Sequence, residues 1–174
     1  MTQAHDSIFL TTADGTRFRV RSARAEDDGT IKDFFSHVSR TDLRFRFLSG
    51  INEVSPAQIA MLAHPDRAQS ESYLAFTADG SMMIASGMLA GDDAGEHGEV
   101  AIAIREDHKH KGVGWAFLSY IAQQAAAKGL KTLESIESRE NHEAIAVERD
   151  MGFTVRDVAD DPSHVIVSRT LAAQ

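Results

Sequence analysis

The spacing of apolar residues changes period several times along the chain. Residues 8 to 21, IFLTTADGTRFRVR, hold two β-rich runs around Ala13-Asp14-Gly15, where glycine can take the positive φ that a hairpin turn demands. They predict an opening hairpin. Ile31, Phe34, Phe35 and Val38 then recur at three- and four-residue spacing behind the acids Glu26, Asp27 and Asp28, which predicts a helix over about 26 to 38 with negative charge at its N-terminal end. Ser39 to Gly50, SRTDLRFRFLSG, fits neither period cleanly and reads as a short second helix. Ser55-Pro56 is an N-cap followed by proline at the first helical position, and predicts a third helix that ends at His64-Pro65.

Strands follow from Ser72 and from Ser81, joined at Asp79-Gly80, and after the acidic loop from Gly91 to Gly98 a third runs from Glu99 to Arg105. In that third strand Val100, Ile102 and Ile104 share one face, while Glu99, Ala101, Ala103 and Arg105 share a narrower one. A helix opens near Gly112, carries Trp115, Phe117, Leu118 and Ile121, and ends in the cationic turn Lys128-Gly129. Thr132 to Ser138 reads as a strand, Asn141 as the cap of a helix that stops at Gly152, and FTVRDV and HVIVSRT as two closing strands. This order predicts an α+β or mixed α/β layer fold.

With 174 residues, 43% of them hydrophobic, the chain can bury a substantial core, and a single domain over 1–174 is expected. A formal charge of −8 argues against a general nucleic-acid binder and suits a basic acceptor. The absence of Cys removes disulfides, thiolate metal sites and a Cys nucleophile. The start, MTQAHDS, has no apolar signal core, and no stretch reaches the apolar length of a membrane span, so a soluble cytoplasmic protein without a membrane partner is expected.

Most chemistry is concentrated between Glu99 and Trp115, where a strand passes through a basic, glycine-punctuated loop into a helix. Gly112 and Gly114 let the backbone turn and expose its N–H groups, and the first helical turn adds its own unpaired N–H groups together with the helix dipole. Lys109, His110 and Lys111 supply side-chain donors. This is an anion cradle suited to a diphosphate. Phe117 stands where a dinucleotide fold would need its third glycine, and no ribose-binding acid follows. His97, His108 and His110 lie near Glu96, Glu99 and Asp107, but the neighbouring lysines favour phosphate over a metal ion, and no metal is expected.

Lys109-x-x-Gly112-x-Gly114 before a helix, followed by Asn141 and the run NHEAIAVERDMGF, resembles the Gcn5-related N-acetyltransferase (GNAT) superfamily. Its signature has Arg or Gln where this chain has Lys109, and the similarity extends in element order over about residues 17 to 170. Arg40 to Phe47, RTDLRFRF, and Glu99 at the head of its strand are further similar to the catalytic domain of the Pat-type protein lysine acetyltransferases. The resemblance implies a mostly antiparallel, twisted sheet flanked by helices, with a V-shaped splay between two parallel strands. It implies acetyl-CoA as co-substrate, pantetheine along the backbone of Ile102, Ala103 and Ile104, and diphosphate at Lys109, His110, Lys111, Gly112, Val113 and Gly114. Trp115 would begin the helix beneath, and Asn141 would bond the pantetheine region, a role compatible with capping its helix.

The activity so implied is acetyl transfer to a primary amine by direct attack in a ternary complex. A protein lysine is preferred, with an acyl-CoA synthetase as the implied partner. An ammonium of pKa about 10.4 must first lose a proton, and the resemblance places Glu99 as general base, acting directly or through water if partial burial makes it more basic. Its plain alternative is a carboxylate solvating a strand end. Many superfamily members protonate the departing thiolate with a tyrosine. That position here is Glu148, to which no catalytic role is assigned, while Tyr73 and Tyr120 are expected in the core or at the surface. Phe45 and Phe47 are expected in the core, and Arg40, Arg44 and Arg46 either guide an acidic partner or cover apolar surface. Two other functions fit the same residues: acetylation of a small amine, with the acidic loop helping to bind a cation, and a non-catalytic acyl-CoA sensor.

Overall fold

The computed structural model of the protein describes residues 7 to 172, so the polar opening stretch falls almost wholly outside it. The strands β1 (Ile8–Thr11), β2 (Arg17–Ser22), β3 (Ser70–Thr77), β4 (Met83–Gly91), β5 (His97–Ile104), β6 (Thr132–Ser138), β7 (Thr154–Val158) and β8 (Asp161–Thr170) make one sheet. Its order is β1-β2-β3-β4-β5-β6-β8-β7. Every neighbouring pair is antiparallel except β5 and β6.

That exception is brief. His97, Gly98 and Glu99 stand beside Thr132, Leu133 and Glu134, and there the parallel register stops. β5 stays paired to β4 as far as Ile104, and β6 to β8 as far as Ser138. The two strands therefore diverge from Val100 and Ser135 onward, each held by its outer neighbour, and a fork opens in the middle of the sheet.

Among the described residues five α-helices cover the sheet: α1 (Asp28–Phe35), α2 (Arg40–Phe47), α3 (Pro56–Ala63), α4 (Val113–Ala127) and α5 (His142–Asp150). Their apolar faces create two cores. Phe117, Leu118 and Ile121 of α4 join Leu89, Val100, Leu133, Val165 and Val167, with Ile145 of α5 against them. Ile31 and Phe34 of α1, Leu43 of α2, and Ile59 and Leu62 of α3 join Leu74, Phe76, Met83 and Ala103. The alternation along β5 explains the division, since Val100 enters the first core and Ala103 the second.

Local signals at the helix ends match the caps. Ser39 accepts from the N–H of Asp42 at 3.1 Å, and Ser55 and Gln58 form a reciprocal box ahead of Pro56. The first helix is shorter than its periodicity predicts, because Ala25–Asp27 forms a 3-10 turn and α1 ends at Phe35. Asp27 is turned inward, its oxygens accepting from Arg21 at 2.7 and 2.9 Å and from the N–H of Arg24 at 2.7 Å. No helix among the described residues is long and apolar enough to cross a membrane.

Candidate functional site

The fork between β5 and β6 is a cleft of about 270 Å³, roofed by α2 and α5 and closed at one end by the loop that enters α4. Ile102, Ala103 and Ile104 line its β5 wall. Beyond Glu99 no described strand pairs with the β5 edge that faces β6, so main-chain donors and acceptors are open there to an extended guest.

The outer end is the loop. Lys109, His110, Gly112, Gly114 and Trp115 line it, with Trp115 44% exposed at the mouth. Gly112 is the N-cap of α4 with φ +81°, a left-handed conformation that a side chain would strain. A Cβ on Gly114 would stand 3.0 Å from Ile104 Cδ1, so the first turn of α4 packs tightly against the side chain at the end of β5. Two expected residues fall elsewhere. Lys111 is exposed and does not line the cleft, and Val113 sends its side chain into the core at 3% exposure, leaving only its backbone facing the loop.

Lys109 does not project freely toward an anion. Its Nζ donates to Asp42 at 2.8 Å and lies 3.4 Å from Glu143, which ties α2, the loop and α5 together. Burial works to lower its pKa, but these carboxylates outweigh that and raise it. His110 Nε2 is 3.6 Å from the same Glu143. Asn141 lines the cleft and also caps α5, its Oδ1 accepting from the N–H of Ala144 at 3.4 Å while its Nδ2 donates to Glu137 at 3.2 Å.

The inner end is made of side chains that sequence reasoning did not bring together. Arg46, Glu137 and Glu148 all line the cleft. Arg46 Nε is shut off from solvent with no acceptor; burial lowers the guanidinium's pKa, against the pull of Glu99 and Glu137. Glu148 is 5% exposed, and burial first, then the neighbouring Glu137 carboxylate, pushes its pKa up to about 9. The carboxyl that sequence reasoning left without a role is therefore a neutral acid at neutral pH.

Glu99 is exposed, which departs from the partial burial expected of it. It lies at the last paired position of the fork rather than within the cleft, beside Glu134 in register, and Glu134 in turn accepts from Arg156 at 3.1 Å. Phe45 lines the cleft instead of the core, and Asp42, Phe45 and Arg46 share one face of α2 at i, i+3, i+4 spacing, a signal present in RTDLRFRF. The acids of the Gly91–Gly98 loop already have partners. Asp92 accepts from the N–H groups of Glu96 and His97, Asp93 from Gln69, and Glu96 pairs with Lys131 at 2.6 Å. Tyr73 and Tyr120 meet edge to face at 5.6 Å in the first core, and neither lines the cleft. No group of three or more His, Asp or Glu among the described residues is placed to hold a metal ion.

Comparison with known proteins gives this geometry relatives. The model of the acetyltransferase (GNAT) family matches residues 40–153. An acetyltransferase of Pseudomonas aeruginosa is 26% identical over 155 residues, which cover 88% of this chain and 83% of that protein. The crystal structure of the GNAT domain of S. lividans PAT superposes with a TM-score of 0.87 at 23% identity, covering 98% of this chain and all of that one. A spermidine N-acetyltransferase from Vibrio cholerae, in complex with CoA and spermine, superposes with a TM-score of 0.71 at 14% identity over 88% of this chain and 95% of that one.

Proposed function

The chain belongs to the acetyltransferase (GNAT) family and is an N-acetyltransferase that uses acetyl-CoA, and we propose that its acceptor is the side-chain amine of a protein lysine, deprotonated by Glu99. The exposure of Glu99 carries this reading. An exposed carboxylate at the apex of the fork can be reached by a long aliphatic ammonium projecting from the surface of another protein, with no need for that protein to enter a pocket. Glu134 stands beside it on the same face of the sheet but is already paired with Arg156, which leaves Glu99 to meet the incoming cation. The resemblance of Arg40 to Phe47 and of the position of Glu99 to the Pat-type protein lysine acetyltransferases supports the same direction.

In this reading acetyl-CoA lies in the cleft with its diphosphate at Lys109, His110, Gly112 and Gly114 and on the backbone N–H groups of Lys111 and Val113. Its pantetheine runs as an extra strand along Ile102, Ala103 and Ile104, with Asn141 opposite and Trp115 at the mouth. The thioester then points to the inner end. Glu99 takes a proton from the ammonium directly or through water, the freed amine attacks the acetyl carbonyl carbon, and backbone N–H groups of the fork stabilise the oxyanion.

The test is acetyl transfer to a panel of acyl-CoA synthetase proteins and to spermine, by wild type and Glu99→Gln. That substitution keeps shape and removes basicity. The expected result is transfer to a protein lysine that falls roughly 100- to 10,000-fold in kcat, with acetyl-CoA affinity unchanged. Unchanged turnover at saturating substrates would falsify the base assignment. Transfer to spermine alone would replace the protein acceptor with a small amine.

A further inference from the structure

Deep in the cleft two carboxyl groups are neighbours, Glu148 and Glu137. Glu148 of α5 is 5% exposed, and no donor reaches its Oε2. Its neighbour Glu137 on β6 accepts from Ser135 Oγ at 2.6 Å and from Asn141 Nδ2 at 3.2 Å. A buried carboxylate and a half-buried one beside it cannot both stay ionised at low cost, and a proton held between them removes the repulsion. Burial and Glu137 together raise the pKa of Glu148, so the proton is retained at neutral pH. The other charged groups around the pair are Arg46 on α2, which also lines the cleft, and Glu99 on β5, which acts on Arg46 from the fork.

The position of the pair follows from the directions of two elements. Glu143, at the start of α5, meets Lys109 at the outer end, and Glu148 lies five residues on, about 7.5 Å further along the helix. On β6, Ser135 is the first residue beyond the parallel register, and both Glu137 and Glu148 are within its hydrogen-bonding neighbourhood. The pair thus sits at the end of the cleft opposite the diphosphate loop, where the tip of an extended acetyl-CoA would arrive.

We propose that Glu148 and Glu137 share one proton and deliver it to the coenzyme A thiolate as it leaves, with Glu148 as the catalytic acid and Glu137 as the positioning residue that keeps it protonated. The amine lone pair forms the C–N bond to the acetyl carbon, and the C–S bond breaks with its electron pair going to sulfur. The shared proton then joins sulfur, giving the free thiol and leaving the pair doubly ionised. An ammonium sheds two protons in becoming an amide N–H; in net terms one restores the Glu137–Glu148 pair and the other goes to solvent. A protein interior that holds an acid at the leaving group saves the cost of a bare thiolate in a shielded cleft.

This inference rests on acetyl transfer from acetyl-CoA and not on the lysine acceptor, so it is tested on whichever acceptor the wild type uses, protein or spermine. Glu148→Gln and Glu137→Gln are compared with wild type in acetyl-CoA affinity by calorimetry, in kcat against pH, and in turnover with the acetyl selenoester of coenzyme A, whose selenolate leaves without a proton. Expected for Glu148→Gln is an acetyl-CoA affinity within a few-fold of wild type, a kcat roughly 100-fold lower with the thioester, and a much smaller loss with the selenoester. For Glu137→Gln the alkaline limb of the kcat profile moves to lower pH, because Glu148 loses the like charge that holds its proton. Unchanged kcat in Glu148→Gln, or an equal loss with both donors, would overturn the proposal, as would an alkaline limb that Glu137→Gln leaves in place.

Discussion

At its outer end the cleft presents main chain: the left-handed Gly112, the close-packed Gly114 and the first turn of α4. At its inner end it presents side chains from three separate elements, Arg46 of α2, Glu137 of β6 and Glu148 of α5, with Glu99 of β5 exposed beside them at the apex of the fork. Backbone donors aimed by a glycine turn cannot titrate and cost nothing to keep in place once the turn is folded, which suits a diphosphate that enters unchanged and leaves unchanged. Side-chain charges packed against one another shift each other's protonation, which suits the end where protons move. In the proposed reaction the difference separates a binding end from a reacting end.

The largest expected effect tests that separation through stability. Glu148 keeps its proton in the folded chain up to about 9, whereas an unfolded chain releases it near the ordinary carboxylate value of 4.5. Between those values the unfolded state binds fewer protons, so wild-type stability falls as pH rises, by up to about 1.4 kcal/mol for each pH unit. Glu148→Gln has no proton to lose and removes that slope. Urea unfolding of both proteins from pH 5 upward should therefore show curves that diverge, with the variant the more stable on the alkaline side; parallel curves would mean that Glu148 is ionised in the fold and that the inner end is not a proton store.

Legibility in the sequence divides along the same line. Gly112, Gly114 and Asn141 could be read from the chain because each does a local job that few residue types do well, a left-handed turn, a close approach and a helix cap. The alternation of β5 and the caps at Ser39 and Ser55 were legible for the same local reason. Arg46, Glu137 and Glu148 were not, because a charged side chain in a helix or strand looks like solvent-facing polarity until the fold brings distant segments together. Phe45 was taken for core because α2 is too short for its faces to be told apart by period alone, although Asp42, Phe45 and Arg46 already mark the face that meets the cleft. Val113 lies in the motif with its side chain in the core, so only its backbone faces the loop.

A smaller effect sharpens the outer end. Gly112→Val forces a β-branched residue into φ +81° and brings its Cβ to 3.3 Å from Thr12 Cβ, a strain of about 1–2 kcal/mol before the crowding is counted. The loop relaxes away from the geometry that gathers its N–H groups. Acetyl-CoA affinity measured by calorimetry should fall roughly 10- to 100-fold, with the pH profile of kcat unmoved. A shifted profile with unchanged affinity would erase the distinction between the two ends.

The smallest effect concerns Lys109, a residue of the outer loop whose role depends on charge rather than on backbone shape. Its ammonium is held by Asp42 and Glu143, carboxylates that a diphosphate must displace or share. Partly exposed pairs of this kind are worth about 0.2–1 kcal/mol, so Asp42→Asn should release Lys109 to the anion and tighten acetyl-CoA by a few-fold, more visibly at low salt than at high salt. If affinity falls instead, Asp42 aims the lysine rather than competing for it, and the outer end then depends on side-chain placement in the way the inner end does.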